Sequence, residues 1–203
     1  MSCFEIEFPN ISNASNHPTH SFFMKRQPVM TSLALLLSLF LGGCEVVFIH
    51  PPAGKLKLDK TLLGSWINQE KEKEATTLKF DKGTGEEIKI SFLPANHDEK
   101  NPVLTARILI IANRSYMILN PTNEDRDKGF LLARYEITAG ELVIWLPNSE
   151  KFKILIQQKR IRGTAESIDP VVTDSPDNLA KLLESKESED AFEIFGKFRR
   201  GKR

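Results

Sequence analysis

Cysteine is scarce in this chain, and its scarcity limits how the fold can be held together. The sequence contains two cysteines, Cys3 and Cys44. If translation begins at Met24, as the residues that follow it indicate, only Cys44 remains. A lone thiol cannot form an intramolecular disulfide, so we expect the folded domain to depend on packing alone.

The chain carries no marked excess of charge of either sign. Its 28 Lys and Arg residues balance 27 Asp and Glu residues, which gives a net charge of +1. The overall charge gives no argument for nucleic acid as a partner, and we expect none. Locally, five cations lie at the end of the chain: Lys197, Arg199, Arg200, Lys202 and Arg203. This cluster is either a solvated chain end or a contact for anionic lipid headgroups.

The sequence patterns of metal sites and catalytic centres are also missing. The two histidines after Met24, His50 and His97, have no second histidine or cysteine at a metal-ligand spacing. Ser65 lacks the following glycine of a nucleophile elbow. The acidic run 123–129 breaks the EF-hand spacing, which favours a solvated hairpin loop over a calcium site. We therefore expect a non-enzymatic protein without catalytic residues, metal or cofactor, and keep a hydrolase as the less favoured alternative.

The apolar run near the start of the chain is too short to span a bilayer. Residues 33–41 are apolar except for Ser38, whereas a spanning helix takes roughly 20 apolar residues. The run follows the cationic start Met24-Lys25-Arg26 and ends at Leu41-Gly42-Gly43-Cys44. A cationic start, a short apolar middle and small residues before a cut are typical of a cleaved secretory signal.

The ending Leu41-Gly42-Gly43-Cys44 resembles the lipobox of bacterial lipoproteins. The resemblance implies that a signal peptidase cuts before Cys44 and that the Cys44 sulfur accepts diacylglycerol. Two or three acyl chains, palmitate among them, would then hold the protein stably on a membrane of the cell envelope. The residue after the cysteine is Glu45 rather than aspartate, and the resemblance then implies the outer membrane, on its periplasmic side.

These observations divide the chain into four parts. We expect residues 1–23 to be a mis-called start or a disordered extension, and residues 24–43 to be the signal peptide. Residues 44–59 contain Pro51 and Pro52 without a sustained period, which predicts a tether between the lipid and the domain. Residues 60–203 are predicted to form the folded domain, which is long enough to bury a core.

Alternating apolar and polar residues on either side of turn-forming residues predict three β-hairpins. The paired segments are 76–80 with 87–92, 103–112 with 115–119, and 130–137 with 142–146. A last strand is predicted over 191–198, with Phe192, Ile194 and Phe198 available for burial. Sequential hairpins form an antiparallel meander, which tends to close into a barrel or half-barrel.

Two short helices are predicted between the third hairpin and the last strand. Asn148 or Ser149 can cap the first, which places Phe152, Leu155 and Ile156 on one face. Ser175-Pro176 begins the second, which places Leu179, Leu182 and Leu183 on one side. Both helices are expected to pack on the sheet or plug one end of it. The fold class is therefore mostly β, in the α+β sense.

Leu63-Gly64-Ser65-Trp66 precedes the first hairpin and resembles the Gly-x-Trp signature of lipocalin-like barrels. The resemblance implies that Trp66 closes one end of the barrel against an arginine of the last strand, here Arg199. A generic core role for Trp66 remains open. The stretches 134–137, 141–142 and 173–179 also resemble a group of uncharacterised bacterial lipoproteins, a resemblance that brings no known activity.

Two functions follow as hypotheses. The first is a lipid-anchored module that binds a small apolar ligand or a lipid inside the barrel; an interior filled by side chains would count against it. The second is an envelope protein that docks a partner protein on its sheet face and helices.

Overall fold

The computed structural model of the chain describes residues 45–68, 76–93, 103–120 and 129–201. These residues form twelve strands and three short helices, mostly β structure. The strands are β1 (Val47–Phe48), β2 (Lys55–Leu56), β3 (Gly64–Asn68), β4 (Thr77–Lys82), β5 (Glu87–Leu93), β6 (Val103–Ile111), β7 (Arg114–Asn120), β8 (Leu131–Thr138), β9 (Glu141–Pro147), β10 (Gly163–Thr164), β11 (Val171–Val172) and β12 (Phe192–Arg200). The helices are α1 (Ser149–Gln157), α2 (Pro176–Glu184) and α3 (Glu187–Asp190).

Eight strands form a closed antiparallel barrel. Strands β3 to β8 each pair with the next strand along the chain. Strand β12 pairs with both β9 and β3 and thereby closes the cylinder. The prediction of a mostly β meander that closes into a lipocalin-like barrel is confirmed.

The two ends of the barrel differ in how the strands are connected. At one end, here called the closed end, tight turns join β4 to β5, β6 to β7 and β8 to β9. Two of these turns need left-handed backbone: Ala112 and Asn113 have φ of 47° and 64°, and Ala139 and Gly140 have φ of 51° and 80°. Asparagine and glycine adopt such angles readily, which explains the hairpins at these sites. At the opposite end, here called the loop end, β3, β5 and β7 end, β4, β6 and β8 begin, and the chain leaves β9 for the helical insertion.

Apolar side chains fill the barrel interior. Because side chains alternate across a strand, one face of each barrel strand supplies this core. Its buried residues are Leu62, Trp66, Leu78, Phe80, Ile88, Ile90, Ala106, Ile108, Met117, Leu119, Ala133, Tyr135, Leu142, Ile144 and Phe198. The alternation seen in the sequence is therefore the inward pattern of the barrel.

A second apolar core lies against the outside of the barrel wall. Tyr116 and Ile118 of β7 point outward into it, so β7 is buried on both faces. Both predicted helices are confirmed: Asn148 caps α1 and Ser175 caps α2 through their side chains. Their apolar faces join this outer core. Helices α1 and α2 thus cover the outside of the barrel wall and do not plug an end of the barrel. The short helix α3 was not predicted.

The prediction of a free tether over residues 44–59 is wrong for its described part. Val46 and Phe48 are buried in the outer core, and β2 pairs with β6. At Gly129, a Cβ would lie 2.7 Å from the Phe48 carbonyl oxygen, so the N-terminal strand and the chain before β8 are in close contact. Residues 45–58 therefore run along the barrel from the loop end to the closed end as part of the domain.

The last strand agrees with the prediction in position, but not every residue that was expected to be buried is buried. Phe192 and Phe198 are buried, whereas Ile194 is 53% exposed. The register shifts between Ile194 and Gly196, as in a β-bulge, so Ile194 faces outward while Gly196 and Phe198 face inward. The extra residue is Phe195, and regular alternation could not predict it.

None of the helices in the described residues is long and apolar enough to cross a membrane.

Candidate functional site

The barrel interior is the predicted ligand site, and its described part is occupied by large side chains. Trp66, Phe80, Ile88, Met117 and Leu142 are among the largest fully buried residues. Close-packed interiors leave few voids larger than a water molecule. A ligand could enter this region only by displacing these side chains.

The closed end is sealed by Trp66 and an arginine of β12. The Trp66 Nε1 donates to the Leu62 carbonyl oxygen at 2.7 Å. The guanidinium carbon of Arg200 lies 5.0 Å from the centroid of the Trp66 ring. Arg200 also donates to the carbonyl oxygens of Thr61 and Leu63 at 2.9 and 2.6 Å. The contact is the cation–π closure that the Gly-x-Trp resemblance implies.

The arginine in this closure is Arg200 and not the predicted Arg199. Arg200 is in register with Trp66, whereas Arg199 is in register with Ile67. Successive side chains alternate across a strand, so Arg200 shares the face of buried Phe198 and Arg199 lies on the opposite face. The correct arginine could have been chosen by counting two residues on from Phe198.

A second polar contact fixes the closed end. The Tyr135 hydroxyl donates to Asp59 Oδ2 at 2.8 Å, and Thr61 donates to Asp59 Oδ1 through its amide and hydroxyl. Burial, and then the charge of Asp59, raise the pKa of Tyr135. Burial opposes ionisation of Asp59, but the hydrogen bonds from Thr61 and Tyr135 and the nearby Lys57 together lower its pKa. Asp59 is therefore ionised at neutral pH and bonds the segment before β3 to the barrel.

Apolar side chains near the loop end are less deeply buried. Phe92, Leu104, Leu131 and Leu146 pack on the barrel core but are only partly buried. They continue the inward rows of β5, β6, β8 and β9. They form the described part of an apolar rim at this end.

The predicted lipidation residue Cys44 and the lipobox residues Leu41, Gly42 and Gly43 lie outside the described residues. The next residue, Glu45, is described: its backbone N–H donates to Asp169 Oδ1 at 2.9 Å. Burial, and then the neighbouring Asp169 charge, raise the pKa of Glu45 to about 7. The chain is thus held to the domain one residue after Cys44.

Strands β1, β11 and β10 form a small sheet at the loop end. Val47 and Phe48 pair in parallel with Val171 and Val172, and β10 pairs antiparallel with β11. Parallel strands start at the same end of a sheet, so the chain enters β1 beside the connection 165–170. Ile168 in this connection is 76% exposed. We call residues 165–170 the hairpin tip.

A solvent-open groove of about 540 Å³ adjoins the hairpin tip. It lies between α1 and β10, and Glu166 is the one charged residue of its lining: Ile156, Gln157, Gly163, Thr164, Ala165 and Glu166. Catalysis needs convergent polar groups, and one carboxylate does not supply them.

Within the described part of the chain, no group of three or more His, Cys, Asp or Glu residues could hold a metal ion. His50 follows β1 and is exposed. His97 and most of the acidic run 123–129 lie outside the described residues, and Ser65 lies in β3.

One row of side chains crosses the outer wall. Arg134, Trp145 and Ile194 are in register on β8, β9 and β12. The Arg134 guanidinium lies 4.4 Å from the centroid of the Trp145 ring. Arginine and tryptophan are enriched at the energetic centres of protein interfaces. Sequence reasoning missed this row, because only strand register brings the three residues together.

No protein-family model, curated protein or solved structure matches the chain.

Proposed function

We propose that this chain is the precursor of a lipid-anchored protein of the bacterial envelope, cut before Cys44, whose mature domain is a non-enzymatic interaction module held directly on a membrane. The carrying observation is the bond from Glu45 to Asp169, with Val46 and Phe48 buried beyond it. A lipid on Cys44 would leave the domain no flexible spacer. Such a protein works within reach of the bilayer surface, and the Glu45 residue favours the outer membrane.

The interaction we propose is with an envelope protein, through the outer wall rather than the barrel interior. The filled interior favours a barrel that serves as a rigid scaffold. In the row of Arg134, Trp145 and Ile194, Ile194 is exposed and the other two are half-buried, with Trp145 packed against the outer core. The row thus combines a cationic, an aromatic and an apolar side chain on that scaffold. Rigid strands present such a row with little ordering cost on binding.

A small apolar ligand or a lipid remains the second candidate function. The observation that favours it is the partly buried apolar rim of Phe92, Leu104, Leu131 and Leu146 at the loop end. An acyl chain could contact this rim without displacing the deeper core.

The anchor is tested by replacing Cys44 with alanine in cells that express the full chain. We expect loss of palmitate labelling and retention of the signal peptide. The matched control is Cys3→Ala, which should leave labelling and fractionation unchanged. Equal palmitate labelling of the Cys44→Ala protein, or cleavage of its signal peptide at the same bond, would overturn the anchor.

The two binding functions are separated by one pair of measurements. A photo-crosslinking residue at position 194 should capture the same envelope protein in repeated experiments, and an Arg134→Ala, Trp145→Ala background should abolish that adduct. The same residue at position 86, in the turn at the closed end, is the control. Lipid that co-purifies in stoichiometric amount with no adduct at position 194 would favour the ligand instead.

A further inference from the structure

The hairpin tip and the residue at which β1 starts lie at the same end of the small sheet. Val47 donates its N–H to the Pro170 carbonyl oxygen at 3.0 Å, and Glu45 donates to Asp169. Cys44 is joined to Glu45 by one peptide bond. Acyl chains on Cys44 would therefore enter the bilayer within a few ångströms of Asp169 and its neighbour Ile168.

Ile168 is the most exposed large hydrophobic residue of the described part of the chain. A single exposed isoleucine is ordinary on a protein surface and by itself indicates nothing. Its position in the sequence distinguishes it, because it precedes Asp169, the residue to which Glu45 is bound immediately after Cys44.

We propose that the hairpin tip, with Ile168 at its apex, is the membrane-contacting surface of the anchored domain and acts with the acyl chains on Cys44 as a second point of contact. The inference rests on the proposed lipidation of Cys44. Two points of contact fix the orientation of the domain relative to the bilayer, which a single attachment would leave free.

The charges at this surface identify the type of contact. Glu45, Glu166 and Asp169 lie at or beside the hairpin tip, so attraction to anionic lipids cannot drive it. The contact depends on apolar insertion of Ile168 and is expected to be strongest on zwitterionic lipid.

The same orientation places the described cations at the end of β12, Arg199 and Arg200, away from this bilayer. Phe192 starts β12 near the loop end, and Arg200 ends it at the closed end. The nine residues of β12 span about 30 Å. Of the two interpretations of the cation cluster, the orientation disfavours contact with the headgroups of the anchoring membrane. Arg200 instead closes the barrel.

The sequence offers a direct test, because the sulfur of Cys44 is blocked when it carries lipid. In the acylated protein purified from cells and reconstituted in phosphatidylcholine vesicles, a cysteine introduced by Glu166→Cys is then the one free thiol. A fluorophore on it should be quenched by nitroxide-labelled lipid. The matched control is Glu86→Cys, at the closed end, whose fluorophore should not be quenched.

The role of Ile168 is tested by adding Ile168→Ser to the Glu166→Cys protein. Removing an isoleucine from an apolar environment should lower the equilibrium constant for contact between the hairpin tip and the bilayer by about tenfold. This change is measured as a loss of quenching at position 166. The thermal melting temperature should not change, because Ile168 is exposed. Unchanged quenching in the Ile168→Ser protein overturns the inference.

Failure of the anchor and failure of the orientation give different results. If the N-terminal peptide carries no diacylglycerol and the protein does not float with vesicles, the proposed function fails, and the inference fails with it. If the protein is acylated and floats but positions 166 and 86 are quenched equally, the anchor stands and the orientation is wrong.

Discussion

The barrel interior and the outer core are two apolar cores of similar size that are built in different ways. Hairpins, whose paired residues are close in sequence, supply most of the interior. The outer core joins distant segments: Val47 pairs with Val171, and Phe48 stacks on Phe130 with ring centroids 5.7 Å apart. Local alternation accounts for the hairpins of the barrel, whereas its closure by β12 and the whole outer core depend on long-range contacts.

The largest expected effect is the loss of stability when a side chain of the barrel interior is removed. Trp66→Ala removes a fully buried indole, its hydrogen bond to Leu62 and the contact with Arg200, and should lower the free energy of unfolding by about 3–5 kcal/mol. Denaturant unfolding measures it. The control is Ile67→Ala, on the next and outward-facing residue, which should cost less than about 1 kcal/mol. Equal losses in the two variants would contradict a barrel core at Trp66.

A substitution in the outer core should loosen only the segments that pack around it. Phe48→Ala removes a ring that packs on Phe130 and Phe152, at a cost of about 3 kcal/mol. We expect the amides of β1, β11 and α1 to exchange faster with solvent, while those of the barrel strands stay protected. Native-state hydrogen exchange separates the two regions, with Ile49→Ala as the control. Uniform acceleration across the chain would mean that the two cores unfold as one unit.

The stability of the closed end should depend on Arg200 and not on Arg199. Arg200→Ala loses the cation–π contact and two hydrogen bonds at a partly solvated site, which should cost about 1 kcal/mol. Arg199→Ala is the matched control and should leave the midpoint of thermal unfolding unchanged. The reverse ranking would restore Arg199 as the closing residue.

The smallest expected effect is a pH dependence of the docking of residues 45–48 at the loop end. The folded pKa of Glu45, about 7, lies above the ordinary value of 4.5, so the folded state binds the additional proton. Docking of residues 45–48 on β11 should be strongest below about pH 4.5 and should weaken as pH rises through about 7. Hydrogen exchange of the Val47 amide, corrected for its intrinsic pH dependence, measures this.

Two variants check the physical cause of the Glu45 shift. Glu45→Gln should remove the pH dependence of docking. Asp169→Asn keeps an oxygen acceptor for the Glu45 N–H but removes the charge, so it should reduce the dependence without abolishing it. A pH profile that neither variant changes would assign the titration to another group.

The barrel, its hairpins and both helix starts could be predicted from the sequence, because alternation, turn residues and capping residues act over a few neighbouring positions. The segment 44–59 was misread for the opposite reason. Its two prolines and short apolar stretches carry no period, and its strands form only because β6 and β11 offer them partners. The bulge at Phe195 and the outer row of Arg134, Trp145 and Ile194 were likewise invisible, since register is a property of paired strands.

By itself the sequence predicted a mostly β meander that closes into a barrel or half-barrel, and it placed a lipobox-like motif before Glu45. Only the tertiary structure decided that Arg200 covers Trp66, that side chains fill the described interior, and that the residue after Cys44 is bound to Asp169. The physical reason is the range of the interactions. Alternation and turn chemistry are written in neighbouring residues, whereas strand register, closure and the bond from Glu45 to Asp169, 124 residues apart in sequence, depend on how the whole chain packs.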